Sequence, residues 1–184
     1  MHQLIRLALC SSLTAVLATS VASASAQPAK DHDHDHDTLE QHTHAHGSVT
    51  FNIALEGELL VVELDAPADN VVGFEKSPRN EAERKAVADA NAWFASGRNF
   101  AAVPGNAGCR LQSVDFVPPK FGSGHADYRG RFTYRCSNPG AIAWVDLWAL
   151  RSLRELEKIE VNVITPTLQR QTELAAGISR VSLK

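Results

Sequence analysis

Apolar and polar residues alternate along two neighbouring segments of the chain, the first of which begins near Ser48. The apolar positions are Val49, Phe51, Ile53 and Leu55 on the first segment and Leu60, Val62 and Leu64 on the second. Alternation of this kind predicts half-buried β-strands. Glu56-Gly57 fits a two-residue turn between them, and the resulting register places Ile53 opposite Leu60. The sequence therefore predicts a β-hairpin with one apolar face.

One amphipathic helix is predicted between Asn80 and Gly97. Asn80 with Glu83 three residues later resembles a capping box, and Gly97 is a typical helix stop. The apolar side chains on and beside one face of this helix are Ala86, Val87, Ala90, Trp93 and Phe94. This face is expected to pack in the core.

Strand patterns dominate the rest of the chain. The predicted segments are about residues 109–117, 125–136, 144–149 and 159–163, followed by a terminal hairpin of residues 168–174 and 178–183. On the second segment His125, Asp127 and several arginines share the polar face, which is expected to be solvated. Because no β-α-β alternation is present, the sequence predicts an α+β domain. It would be a largely antiparallel sheet of about six to seven strands with one main α-helix packed on it.

The first 26 residues are predicted to be a secretory signal peptide. Arg6 supplies the positive start, residues 7–21 are apolar, and Ala24-Ser25-Ala26 is a cleavage site of small residues. The apolar run is too short and too poor in large side chains for a good membrane-spanning helix, although an uncleaved anchor is the alternative. The net charge of −3 would become −4 once Arg6 is removed. Nothing in this mild acidity points to nucleic acid.

Two cysteines remain after the predicted signal peptide, Cys109 and Cys136. An even pair in an exported chain predicts a disulfide, which would stabilise the fold by roughly 3–4 kcal/mol in the chain-entropy model. A cysteine-containing metal site is the alternative, and an oxidising compartment disfavours it.

A histidine-rich tract lies between the signal peptide and the first strand. Its histidines are His32, His34, His36, His42, His44 and His46, and the first three alternate with aspartates. Imidazole and carboxylate are zinc ligands, and in an extended chain residues two apart point the same way, so each His-x-His can clip one ion. The alternative is a solvated low-complexity tail. We divide the chain into a signal peptide (1–26), a metal-binding tract (27–47) and a single domain (48–184).

Several short stretches together resemble a known protein family. They are His44-Ala45-His46-Gly47, Asn52-Ile53-Ala54-Leu55-Glu56-Gly57, Val71-Val72-Gly73-Phe74-Glu75 followed by Pro78, Cys109, and Tyr134-Arg135-Cys136-Ser137-Asn138-Pro139. In this combination the chain resembles the ZrgA-type periplasmic zinc-regulated proteins over roughly residues 44–183. The resemblance implies a periplasmic protein that captures Zn²⁺ and assists its uptake by delivering it to an ABC-type zinc importer.

The chain departs from this family between the two cysteine-flanking strands, where members carry a long His/Asp/Glu-rich insertion. Here the region is reduced to residues 118–127, in which His125 and Asp127 are the remaining candidate ligands. His42, His44 and His46 would lie on the same outward side of the sheet if the strand phase continued back through Gly47. A shared site on that side is therefore predicted.

The tightest zinc site is predicted at His44 and His46, which adjoin an ordered strand. Ordering each further backbone residue costs about 1–2 kcal/mol, so His32, His34 and His36 should bind more weakly. His125, Asp127 or another histidine of the tract would complete the tight site.

Three other functions compete with zinc capture. Imidazole also suits Cu²⁺ and Ni²⁺, so sequestration of either metal is the first alternative. Met1 is the sole methionine, and the lack of a Met-rich stretch argues against a carrier of Cu⁺. A zinc hydrolase is disfavoured because the chain lacks a His-Glu-x-x-His motif. The folded domain would otherwise serve mainly to bind a partner. The sequence thus favours a protein that is not an enzyme.

Overall fold

The computed structural model describes residues 47–122 and 124–184 of the chain. The predicted signal peptide and all six histidines of the tract lie outside the described residues, so the boundaries at residues 26 and 47 stay predictions. The strands are β1 (Ser48–Glu56), β2 (Leu59–Pro67), β3 (Cys109–Val117), β4 (Asp127–Cys136), β5 (Trp144–Asp146), β6 (Lys158–Ile164), β7 (Gln169–Leu174) and β8 (Arg180–Ser182). The helices are α1 (Ala68–Val72) and α2 (Glu81–Ser96).

Six of the strands form one mixed sheet in the order β3-β4-β2-β1-β6-β7, and β5 pairs with β8 in a second, smaller sheet. Every pairing is antiparallel except that of β1 with β6, which is parallel. A disulfide joins Cys109 to Cys136 where β3 and β4 meet. These observations confirm the predicted α+β class, the mostly antiparallel sheet, the main helix and the disulfide.

The β1–β2 hairpin forms, but its register differs from the predicted one by two residues. Ile53 pairs with Val62 instead of Leu60, because the turn residues are Gly57 and Glu58. Gly57 has a φ of +55°, a conformation that favours glycine at the start of a tight turn. A shift of two residues leaves each side chain on its face. The predicted core positions are therefore buried as expected, except Leu55, which is partly buried.

The helix α2 covers the inner face of the sheet, and both of its ends agree with the prediction. The Asn80 side chain accepts a hydrogen bond from the backbone N–H of Glu83, and Gly97 ends the helix with a φ of +61°. Phe94 is fully buried, and its ring lies 5.0 Å from those of Phe116 and Tyr128, measured between centroids. An aromatic cluster thus joins the helix to β3 and β4.

The predicted pairing of the C-terminal segments is wrong. β7 pairs with β6 and β8 pairs with β5, so residues 168–174 and 178–183 do not form a hairpin with each other. The strand predicted at residues 144–149 is also shorter, since residues 148–152 form a 3₁₀ turn. Asp146 explains the choice of partner, because its carboxylate accepts hydrogen bonds from Ser179 and Arg180.

The polar face of β4 points outward, as predicted. Its arginines are half-exposed and form ion pairs with carboxylates of β2 and of the turn before it, Arg129 with Asp65, Arg131 with Glu63 and Arg135 with Glu58. Glu58 lies in the turn just before β2. Pairs of this kind fix the outer face of the sheet as a solvated surface.

Candidate metal site

His125 lies in the loop that precedes β4, where its ring contacts a carboxylate from another loop. Its Nδ1 is 3.0 Å from Oε2 of Glu75, which lies between α1 and α2. The Glu75 side chain is 13 % exposed and the His125 side chain 52 % exposed. A carboxylate only accepts hydrogen bonds, so Nδ1 is the donor in this contact, and a neutral imidazole with its hydrogen on Nδ1 has its lone pair on Nε2. This is the arrangement in which a histidine binds a metal through Nε2.

The sequence placed His125 on a strand, and the structure corrects this. β2 ends at Pro67, which pairs with Asp127, and the chain then turns into α1. β2 therefore does not extend far enough to form a ladder with the residues before Asp127. The backbone N–H of Ala68 donates to the carbonyl of Ala126 at 2.7 Å and closes this corner.

Two aromatic rings join the loops that carry Glu75 and His125. Phe74 and Phe121 lie with their ring centroids 5.8 Å apart, and both are partly buried against the core. Phe74 directly precedes Glu75 in the chain, and Phe121 comes shortly before His125. The ring contact therefore holds the two loops close to each other.

Asp127 is the first residue of β4 and forms an ion pair with Arg129. One of its carboxylate oxygens, Oδ2, accepts a hydrogen bond from Nη2 of Arg129 at 3.3 Å, while Nε of the same arginine contacts Asp65 at 2.9 Å. The Asp127 side chain is 12 % exposed. Arg129 thus bridges two carboxylates and orients Asp127 beside the loop of His125.

The tract joins the fold at Gly47, which is buried and directly precedes β1. Its carbonyl accepts hydrogen bonds from the backbone N–H groups of Glu157 and Lys158, at 2.8 and 3.0 Å. Its φ is +77°, and a Cβ atom at this position would lie 2.7 Å from Cγ of Glu157. Only glycine fits this junction without strain. The extended backbone of β1 therefore begins after Gly47, and the orientation predicted for His42, His44 and His46 lies outside the described residues.

Asn70 fixes the segment against which Gly47 packs. It is fully buried, and its side-chain amide donates to the carbonyls of Arg154 and Glu155 at 2.8 and 3.1 Å. The backbone N–H of Arg154 donates in return to the Asn70 carbonyl. These bonds tie α1 to the loop that leads into β6.

The starts of β1, β4 and β6 and the end of β2 lie at the same end of the sheet. Thr50, Asp65 and Arg129 occupy one row across β1, β2 and β4, and Ser48 pairs with Lys158 at the start of β6. Gly47 and His125 both precede their strands at this end. The structure therefore brings the junction of the tract and the Glu75–His125 pair to the same end of the sheet.

A scan against protein families matches residues 43–183 to a family described as ZrgA family zinc uptake protein. The chain belongs to the ZrgA family. A search of curated proteins finds no match. The predicted resemblance is thereby confirmed, and with it a role related to zinc uptake.

Within the described part of this ZrgA-family chain, no group of three or more His, Cys, Asp or Glu side chains is arranged to hold a metal ion. Of the predicted ligands, the structure places His125 and Asp127, and their roles as ligands stay predictions. Over the same residues, no helix is long and apolar enough to cross a bilayer.

Glu75 is the residue that sequence reasoning missed. It occurs in one of the stretches that carry the ZrgA resemblance, but it lies in a loop, where no periodicity marks a functional side chain. The signal that could mark it is its position beside Phe74, whose ring packs partly against the core.

Proposed function

We propose that this protein captures Zn²⁺ in the periplasm and assists its uptake without catalysing a reaction. Membership of a family of zinc uptake proteins supports zinc as the cargo. The signal-like residues 1–26 support export. One structural observation carries the proposal further: His125, hydrogen-bonded to Glu75, lies at the end of the sheet where the histidine-rich tract joins the fold at Gly47.

Histidines of the tract can reach an ion bound at His125. β1 and β4 are separated by β2 alone, so their axes are about 9–10 Å apart. His46 is bonded directly to Gly47, and the three residue-to-residue steps from His44 to Gly47 span up to about 11 Å when extended. We therefore assign His44, His46 and His125 to the tightest site, with Asp127 or His42 as the fourth ligand that a tetrahedral zinc ion takes.

The remaining histidines supply weaker sites. His32, His34 and His36 are further from the fold along the chain, so binding there has to order more backbone for each ion. Such sites exchange ions more readily. A gradient from weak to tight binding suits a protein that collects zinc and passes it on, and we propose a periplasmic ABC-type zinc importer as the recipient.

Growth under zinc limitation tests this function. A strain that lacks the protein should grow poorly when a chelator depletes zinc, and growth should return with the wild-type gene or with added zinc. Complementation with the His44→Ala/His46→Ala variant should fail, whereas His32→Ala/His34→Ala should restore most growth. If loss of the protein instead increased sensitivity to copper or nickel and left zinc-limited growth unchanged, sequestration of those metals would be the function.

Delivery is tested separately with purified proteins. The zinc-loaded protein is mixed with the metal-free soluble zinc-binding component of an ABC importer, and transfer is followed by native mass spectrometry. Transfer faster than release of zinc to a chelating dye indicates direct delivery. Equal rates would mean that the protein only buffers free zinc.

A further inference from the structure

The contact between Glu75 and His125 joins a carboxylate that is largely withdrawn from water to an imidazole that is half-exposed. Withdrawing a carboxylate from water costs free energy unless hydrogen bonds compensate. Neither residue lies in a helix or strand, so no backbone ladder imposes this meeting. A function of the His125 imidazole would explain why this contact forms.

We propose that Glu75 is a positioning residue, which holds His125 with its hydrogen on Nδ1 and presents Nε2 to the zinc ion. The proposal rests on the function proposed above, because it assumes that His125 binds the captured ion. A histidine without such a partner carries its hydrogen mostly on Nε2 and has to exchange tautomers before it can bind metal through that atom. A fixed Nδ1–H tautomer removes this step and fixes the ring plane.

The surroundings of Glu75 support this role. The Phe74–Phe121 ring contact lies beside the pair in the chain and keeps the two loops together. The pair is thus held by packing as well as by its own contact.

Direct binding of the ion by Glu75 is the competing role, and it makes a different prediction. A carboxylate that acts through His125 loses its effect once His125 is removed. A carboxylate that binds the ion itself contributes with or without His125. A double-mutant cycle on Glu75 and His125 therefore separates the two roles.

The tautomer is measured first, on the metal-free protein, by long-range ¹H–¹⁵N correlation spectra of ¹⁵N-labelled histidine. His125→Ala identifies the His125 signals. The wild type should show the Nδ1–H tautomer at His125, and Glu75→Ala should show mainly Nε2–H. Glu81→Ala removes an exposed carboxylate on α2 and should leave the His125 signals unchanged. An unaltered tautomer in Glu75→Ala would overturn the proposal, whatever the zinc affinity.

Zinc affinity of the tightest site is then measured by competition with a chelating dye for the wild type, both single variants and the double variant. Glu75→Ala should weaken binding by roughly 10–100-fold, the usual effect of losing a carboxylate behind a metal-binding histidine. In the His125→Ala background the same change should alter affinity by less than about twofold. A full loss in that background would make Glu75 an independent ligand and overturn the proposal. If His125→Ala itself left affinity unchanged, His125 would have no place in the tight site, and this part of the proposed function would fail too.

Discussion

The ring of Phe74 packs against that of Phe121 with 5.8 Å between centroids, and this contact joins two loops that are far apart in the sequence. Phe74 is followed at once by Glu75, and Phe121 stands four residues before His125. The geometry of the candidate site thus depends on packing between side chains that bind no metal.

Replacing Phe121 with alanine should weaken the site without removing any ligand. Loss of a partly buried ring contact should lower the free energy of unfolding by about 1–3 kcal/mol, and looser loops should lower zinc affinity several-fold. Thermal melts of the metal-free protein and titration with zinc measure the two effects. Val117→Ala is the control, because Val117 is 74 % exposed at the end of β3 and its loss should change neither quantity. Unchanged zinc affinity in Phe121→Ala would show that the loop contact is irrelevant to binding.

The two histidine clips of the tract should differ in strength. His44→Ala with His46→Ala should weaken the tightest zinc site by about tenfold or more relative to His32→Ala with His34→Ala, since ordering even one more backbone residue costs about 1–2 kcal/mol. Isothermal titration with zinc measures the difference. Melts without metal should be unchanged for both variants, because the sequence places these histidines before the folded domain, and substitutions outside a core usually change stability by less than about 0.5 kcal/mol. Equal losses of affinity would mean that the tract acts as one undifferentiated chelator.

Removing the disulfide should affect stability and leave zinc binding intact. Replacing Cys109 and Cys136 with serine should lower the free energy of unfolding by roughly 3–4 kcal/mol in the chain-entropy model. Cys136 is at the far end of β4 from Asp127, about 30 Å away for a strand of this length. Denaturant unfolding and zinc titration check the two halves of this prediction, and the denatured mature protein, which is predicted to begin near Gln27 and to lack Cys10, should show no free thiol. A large loss of zinc affinity in the folded variant would contradict the separation of site and disulfide.

Stability should fall at alkaline pH because of Tyr128. Burial raises the pKa of Tyr128 to about 12, and its hydroxyl has no hydrogen-bond partner among the described residues. Since the pKa of an unfolded tyrosine is about 10, the unfolded chain loses this proton first. The free energy of unfolding is therefore unaffected by ionisation of this group below pH 10, and it falls by up to roughly 2–3 kcal/mol as pH rises towards 12.

Tyr128→Phe should reduce this alkaline loss and change stability little at pH 7, because it removes a buried hydroxyl with no partner in the described structure. Denaturant unfolding at several pH values measures both effects. An identical pH dependence in the variant would assign the loss to other groups, Tyr134 first among them, because burial raises its pKa to about 12 as well.

The parts of the fold that the sequence predicted well are those determined locally. The limits of α2 follow from the side chain of Asn80 and the positive φ of Gly97, and both signals lie within a turn of the helix end. The register of the β1–β2 hairpin failed because the apolar pattern is the same in two registers that differ by two residues. Only the backbone of Gly57 decides between them.

The pairings that failed are those between distant segments. The sequence of residues 168–183 reads as a hairpin, yet Asp146 draws Ser179 and Arg180 to β5 instead. The same limit applies to the candidate site. The sequence identifies His125 as a possible metal ligand because it is a histidine, whereas Glu75 becomes relevant only when the fold brings two loops together.

The parallel pairing of β1 with β6 sets an order of events for the newly made chain. Asn52 on β1 hydrogen-bonds to Asn162 on β6, 110 residues later, and closing a loop of this length costs roughly 4 kcal/mol of chain entropy. Contacts so distant in sequence also slow folding. A chain that emerges with its N-terminus first exposes its histidines well before β6 can pair with β1. We therefore expect the histidines to be available to zinc before the sheet is complete, and tight binding to begin only after β6 has paired with β1.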